Sequence, residues 1–153
     1  MKWLVLFLLV DLVLWPLALI WVLTRPGPFA TTTLIILTAV GIFGITGSAL
    51  RVLWNPLAKS FPATEPAPDA VRKNFQSFSY GMVNLGLSIH VAADEHALHM
   101  TPVGFLRIFG AMPASIPWEA MTVDGGNPRK VRINGQVLHG PKWCMELAAP
   151  DSQ

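Results

Sequence analysis

The chain has 153 residues, of which 52% are apolar and only 13% are charged, and its formal net charge is +2. This length leaves room for one domain, or for a small domain with a membrane anchor. The charged share, about half of that in soluble proteins, indicates a membrane protein; the lack of a basic face disfavours DNA or RNA as a partner, and a single cysteine excludes an intrachain disulfide.

Two apolar segments near the N-terminus predict a transmembrane helical hairpin. Residues 3–23 and 31–53 are each long enough to cross the hydrocarbon core, because a helix rises about 1.5 Å per residue. The linker between them, TRPGPFA, has two prolines and a glycine and suits a turn between antiparallel helices. The first segment is too long for a cleaved signal peptide and lacks a cleavage pattern. Residues 1–55 are therefore predicted to form the hairpin.

The basic residues predict the orientation of this hairpin. Lys2 flanks the first span, the loop between the spans holds only Arg25, and a group of cations follows the second span: Arg51, Lys59, Arg72 and Lys73. Loops rich in Lys and Arg stay in the cytoplasm. Both termini and the domain after the hairpin are therefore predicted to be cytoplasmic.

Asp11 lies near the middle of the first predicted span. A charge at that depth costs about 2.5–3.5 kcal/mol on insertion scales. The opposing stretch of the second span has small residues, Gly41, Gly44 and Ser48, that let helices approach closely. We predict that Asp11 is protonated or hydrogen-bonded there and locks helix packing or an oligomer. A proton or ion relay and a contact with a partner's membrane helix are the alternatives.

The second half of the sequence predicts a small antiparallel β barrel or sandwich, so that the whole chain is an α+β membrane protein. Residues 56–68 read as an extended linker, and residues 69–153 as the β domain, beginning with a short helix at 69–76. From Val83 to Val91 apolar residues alternate with polar or small ones, which predicts a half-buried strand. Further strands are predicted, about seven in all: 103–109, 120–124, a hairpin over 130–140 around Asn134-Gly135, and 143–148.

The stretch HVAADEHALH holds three of the four histidines. A four-residue turn, Ala93 to His96, would place His90 opposite His99 on the solvent face of an ordinary hairpin. The alternative is a metal or small-ligand site formed by His90, Asp94, His96 and His99. Their spacing matches none of the specific metal motifs, and no cofactor is expected.

A proline-interrupted stretch, FGAMPASIPWEAM, predicts a loop or sheet edge that runs into a strand at Trp118. Trp118 either belongs to the core or forms, with Phe109, Met112 and Ile116, an exposed apolar edge for a partner. The sequence has no nucleophile elbow, phosphate loop or paired carboxylates, so no enzyme is predicted.

Two motifs resemble those of uncharacterised bacterial membrane-anchored pleckstrin-homology-like (PH-like) proteins. They are WNPLAKSFP, residues 54–62, and the pair Phe105-Leu-Arg107 and Ile116-Pro-Trp118-Glu119. The resemblance implies a bent seven-stranded sheet, usually closed by a C-terminal helix, in a protein of the bacterial inner membrane. The resemblance implies no catalytic residues. Only AAPDSQ follows Leu147, so no closing helix is predicted there, and the helix at 69–76 is expected to take its place.

These observations predict a membrane-anchored, non-enzymatic adaptor or assembly module. Its partners are the lipid bilayer and either another protein or a second copy of the chain in an oligomer. The alternative function is a membrane-tethered metal or small-ligand sensor that uses the hairpin from His90 to His99.

Overall fold

A computed structural model describes residues 13–22, 24, 27–124, 127 and 129–148. The chain divides into two compact units, residues 1–52 and residues 53–153. Helices make up the described part of the first, and the second contains a curled antiparallel sheet of seven strands. The predicted α+β class is thus confirmed.

The first unit contains helices α1 (Val13–Val22) and α2 (Pro28–Ala49). Among the described residues, one helical stretch, Pro28–Ser60, is long and apolar enough to cross a membrane. The first predicted span lies largely outside the described residues, as does Asp11, and α1 is its described part. Side chains of α1 and of the N-terminal half of α2, including Leu17 and Leu34, line a common apolar pocket. Gly41 is buried on α2, whereas Gly44 and Ser48 are half-buried.

The helical backbone continues through a π turn, Leu50–Trp54, into helix α3, Asn55–Ser60. The extended linker predicted over 56–68 is therefore wrong for its first five residues. Pro56 is tolerated because the first turn of a helix needs no N–H donor. The side chains of Trp54, Asn55 and Leu57 are buried in the second unit. Packing, rather than the helix propensity of these residues, therefore stabilises the start of α3.

The seven strands follow the order β4-β3-β2-β1-β7-β6-β5, and every neighbouring pair is antiparallel. Their bounds are β1 Val71–Tyr80, β2 Val83–Ala93, β3 Ala97–Pro102, β4 Ala114–Pro117, β5 Thr122–Val123, β6 Lys130–Ile133 and β7 Gln136–His139. Ile89, Leu98, Met100 and Leu138 are fully buried and lie in the core of the curled sheet.

The helix predicted over 69–76 is wrong, because the structure has strand β1 there. The first half of β1 is exposed on both faces, and only Phe78 and Tyr80 show the alternating burial of a strand. Val71 and Phe75 have helical spacing in the sequence, but pairing with β2 from Val71 to Tyr80, interrupted by two register shifts, decides the conformation. Strand preference depends on such context more than helix preference does.

Two predicted strands are instead short helices. Residues 103–109 form α4 (Gly104–Ile108), because the buried side chains, Leu106 and Phe109, are three residues apart, which is a helical spacing. Residues 143–148 form α5 (Lys142–Met145) and a 3₁₀ turn, Glu146–Ala148. Cys144 and Met145 are adjacent and both fully buried, which a strand with one buried face does not allow.

The hairpin predicted over 130–140 is confirmed. β6 and β7 pair from Lys130 opposite His139 to Ile133 opposite Gln136. Asn134 has φ 49° and Gly135 φ 77°, and positive φ at both central residues defines the predicted type I′ turn.

The β2–β3 hairpin exists with a register different from the predicted one. Ala92 lies opposite His99, and His90 lies opposite Thr101. The reason is the side chain of Asp94, which accepts the backbone N–H groups of His96 and Ala97 at 2.9 Å and so starts the turn one residue later. Val91 and Met100 do share the buried face, as expected.

Cys144 is fully buried in the second unit, and it is the chain's single cysteine. Burial raises the pKa of its thiol to about 12. Because only an accessible thiolate reacts readily, labelling of Cys144 by a maleimide reports unfolding of the second unit in the intact chain.

Gly140 packs where no side chain fits. A Cβ atom there would overlap the ring of Phe78 and lie 2.9 Å from Sδ of Met145. We expect Gly140→Ala to lower the free energy of unfolding by about 1–3 kcal/mol, measured as earlier Cys144 labelling in a urea series. Gly86→Ala is the matched control, since nothing lies within 4 Å of its added Cβ. Equal midpoints for both variants would contradict this packing.

Candidate binding site

The sheet is open along the first part of β1. β1 pairs with β2 from Val71 onward, but it pairs with β7 only at Ser79 and Tyr80. A pocket of about 430 Å³ lies beside this opening. Its lining residues come from β1, β2, β7 and the adjoining loops: Phe75, Gln76, Ser77, Phe78, Ser79, Asn84, Leu87, Arg129, His139, Gly140 and Pro141.

Two lining residues, Phe75 and Leu87, have left-handed backbone conformations, with φ of 53° and 50°. Both lie where the β1–β2 register shifts, between Lys73 and Gln76 on β1 and opposite Gln76–Phe78 on β2. Such a conformation costs a non-glycine residue roughly 1–3 kcal/mol. The result is that Phe75 is 59% and Leu87 68% exposed. The alternation of apolar residues in the sequence predicts Leu87 on the buried face. Leu87 points outward instead, because the register shift forms a β-bulge at this position.

Hydrogen bonds fix the polar wall of the pocket. The Ser77 hydroxyl accepts the Leu87 N–H at 2.9 Å and so ties the two bulges together. The Trp143 indole donates to the Gln76 side chain at 3.1 Å, and Lys73 Nζ lies 4.7 Å from the Trp143 ring centroid. The lining residues include Arg129 and no carboxylate. The pocket therefore offers apolar rims, fixed amide and hydroxyl groups and one cation.

A second feature is a buried network of Asp94, His99 and Ser115. His99 Nε2 lies 2.9 Å from Asp94 Oδ2, and His99 Nδ1 lies 2.8 Å from Ser115 Oγ. Ser115 Oγ accepts the Thr64 N–H at 2.8 Å, and Asp94 accepts the Ala67 N–H at 3.1 Å. The network thus fastens the strap, which we define as residues 61–67, to β4 and to the turn between β2 and β3.

The same contacts set the ionisation of Asp94. Burial alone would raise its pKa, but backbone N–H groups of Ala67, His96 and Ala97 and the His99 ring favour the carboxylate. Together they hold the pKa of Asp94 well below its usual value.

This network is not arranged for catalysis, although it contains a serine, a histidine and an aspartate. Ser115 is 6% exposed and its hydroxyl is covered by the strap. A nucleophile must reach a substrate carbonyl, and the Ser115 oxygen has no such access. Cys144 is likewise buried, with its thiol pKa raised. The network is a structural clamp.

Of the four residues of the alternative metal site, the structure brings together only Asp94 and His99. Asp94 and His99 are engaged in the clamp, His96 is exposed, and His90 packs edge-on against Phe75 with ring centroids 5.0 Å apart. Within the described residues no group of three or more His, Cys, Asp or Glu side chains is placed to hold a metal ion. His99 is buried rather than on the solvent face, because the strap covers that face.

The predicted apolar edge is also corrected. Phe109 and Ile116 are buried, Trp118 is half-buried and donates its indole N–H to the Asp94 carbonyl at 2.9 Å, and only Met112 is exposed. β4 is indeed an edge strand, but Pro62 of the strap bridges to Ala114 and covers it. The strand predicted at Trp118 is a 3₁₀ turn, Trp118–Ala120.

The sequence gives no signal that Phe75 and Leu87 lie at the rim of a pocket. Phe75 has helical spacing with Val71, and the alternation from Val83 to Val91 predicts Leu87 on the buried face. Comparison of the chain with family models, with curated proteins and with solved structures finds no match in any of the three.

Proposed function

We propose that this protein is a membrane-anchored, non-enzymatic adaptor or assembly module whose β domain is PH-like and faces the cytoplasm of a bacterium. In this proposal residues 1–55 form a two-helix transmembrane hairpin, and the pocket beside β1 receives an extended segment of a partner protein or of a second copy.

The anchoring part of the proposal is supported by the first unit. α2 carries large apolar side chains, among them Ile35 and Val40, that are exposed along its length. Apolar side chains all around a helix are typical of a lipid environment. α1 and α2 flank a common apolar pocket, as the two helices of a hairpin would.

The observation that carries the binding part is the backbone strain at Phe75 and Leu87. Strain of this kind persists only where the surrounding structure enforces it, and it concentrates at binding sites. Here it turns two large apolar side chains outward at the rim of one pocket. The first part of β1 has no β7 partner, so this edge of the sheet offers a place where an added strand could pair.

A non-enzymatic role is supported by the chemistry of the described residues. The potential nucleophiles Ser115 and Cys144 are buried, and the carboxylate of Asp94 is committed to four hydrogen bonds. The pocket lining has one cation and one histidine, but no carboxylate that would act as a general acid or base beside them.

Leu87→Gly separates binding from stability. Glycine accepts a positive φ without strain, so we expect the variant to unfold at an equal or higher urea concentration than the wild type. We expect it to lose its partner because the apolar rim is gone. The measurement uses photoreactive benzoylphenylalanine in place of Phe75 in the full-length chain in its native membranes, and the adduct is read by mass.

Met82→Ala is the matched control, since Met82 is exposed at the β1–β2 turn and does not line the pocket. A defined adduct that survives Met82→Ala and disappears with Leu87→Gly supports the proposal, and an adduct of twice the chain mass identifies the occupant as a second copy. No adduct, or one that Leu87→Gly leaves unchanged, refutes the proposed site.

A further inference from the structure

Exposed apolar side chains also cluster on α4 and the loop that follows it. Phe105 is 62% and Ile108 76% exposed, and the two are three residues apart on one face of the helix. Phe105 is held edge-on against the buried Phe109 ring, with centroids 4.7 Å apart. We name Phe105, Ile108 and the exposed Met112 the apolar lip. It is separate from the pocket beside β1.

Hydrogen bonds fix the position of the lip relative to Trp54 and Asn55. The Trp54 indole N–H donates to the Met112 carbonyl at 2.8 Å. The Asn55 side chain donates to the Gly110 carbonyl at 2.9 Å and accepts the Met112 N–H at 3.1 Å. Trp54 and Asn55 directly follow the second predicted span in the sequence. The hydrogen bonds therefore hold the lip against the residues that come directly after that span.

The charges near the lip fit the headgroups of an anionic bilayer. Neither residues 53–64 nor residues 103–118 include any Asp or Glu. Arg107, exposed on α4, and Lys59, exposed on α3, are the basic residues in those segments. Long basic side chains beside apolar ones are typical of elements that lie in the membrane interface, where the cations contact phosphates.

We propose that α4 rests in the interfacial region of the same bilayer that anchors the chain. Phe105 and Ile108 insert at the boundary between headgroups and acyl chains, and Arg107 lies at the depth of the phosphates. This inference rests on the membrane anchoring proposed above. It adds a second, peripheral contact between the β domain and the lipid.

Site-directed spin labelling of the full-length chain in nanodiscs of phosphatidylcholine and phosphatidylglycerol tests this contact. Single cysteines replace Ile108, Arg107, Met82 and Val40, each of which is exposed, while buried Cys144 stays unlabelled. The accessibility of each spin label to two paramagnetic reagents is compared: molecular oxygen, which concentrates in lipid, and a nickel chelate, which stays in water. We expect the oxygen-to-nickel accessibility ratio at Ile108 to exceed that at Met82 several-fold, with Arg107 between the two.

The label at Val40 on α2 distinguishes the failure of this inference from the failure of the anchor. A lipid-like ratio at Val40 with a water-like ratio at Ile108 overturns the lip and leaves the anchor. A water-like ratio at Val40 overturns both. Protection of Ile108 from both reagents overturns the lipid contact in favour of a protein surface. Ile108→Asp is expected to abolish the contact. With the spin label at position 107 in this variant, we expect the oxygen-to-nickel ratio to shift toward the ratio measured at Met82. An unchanged ratio would count against the lip.

Discussion

Trp54→Ala is expected to lower the free energy of unfolding of the second unit by about 3–5 kcal/mol, the range for truncating a large buried aromatic side chain. Trp54 is fully buried, and its indole N–H is bonded to the Met112 carbonyl. The substitution removes the ring, leaves a cavity and frees a carbonyl. The measurement is the urea midpoint of Cys144 labelling in the full-length chain in mild detergent.

Two controls separate the contributions to this loss. Trp54→Phe keeps most of the ring but not the N–H, so we expect a smaller loss of about 0.5–1.5 kcal/mol, the net value of one hydrogen bond. Trp21→Ala truncates an exposed tryptophan of α1 in the other unit, and the Cys144 midpoint is expected to stay unchanged. If Trp54→Ala behaves like Trp21→Ala, the buried contact does not stabilise the second unit.

The parts of the fold that the sequence predicts correctly are those where one local signal dominates. The alternation from Val83 to Val91 identifies β2, and Asn134-Gly135 identifies the β6–β7 turn. β1 is missed because its first half is exposed on both faces and therefore has no burial period. α4 and α5 are missed because each is a single turn, too short for a helical period to be distinguished from a strand.

The candidate site is harder to predict from the sequence, for a different reason. A left-handed conformation at Phe75 or Leu87 has no sequence signal, because large apolar residues disfavour it everywhere. It arises from the register shifts between β1 and β2, which depend on the whole sheet. The clamp depends on register in the same way: His99 and Ser115 are sixteen residues apart, and only the pairing of β3 with β4 places them side by side.

The clamp gives the buried side chains of Asp94, His99 and Ser115 hydrogen-bond partners within the protein. Ser115, which accepts the Thr64 N–H, can donate its own proton to His99 Nδ1, and His99 Nε2–H can then donate to Asp94. Each of these polar groups has a partner, and the strap between α3 and β1 is fixed at Thr64 and Ala67. A fully satisfied buried network of this kind rigidifies a fold.

Asp94→Ala is expected to lower the free energy of unfolding of the second unit by about 3–5 kcal/mol, because it leaves three backbone N–H groups and a buried imidazole without their acceptor. Asp94→Asn keeps an oxygen for His96 and Ala97 but turns an N–H₂ group toward Ala67, so its loss is expected to be smaller. Glu95→Ala changes the exposed neighbour in the same turn, and we expect it to lower the free energy of unfolding by less than about 0.5 kcal/mol. All three are measured by Cys144 labelling in urea.

The pH dependence tests the cause of the low Asp94 pKa. Its pKa in the folded chain lies below the value of about 3.9 of an unfolded aspartate, so the unfolded chain binds the proton first as the pH falls. The stabilisation by Asp94 is therefore complete above about pH 5 and is lost progressively as the pH falls through 4 and below. We expect the stability of the wild type to fall more steeply over this range than that of Asp94→Asn, which has no such proton to bind. Equal slopes for the two proteins would show that Asp94 is not held ionised by the strap and the turn.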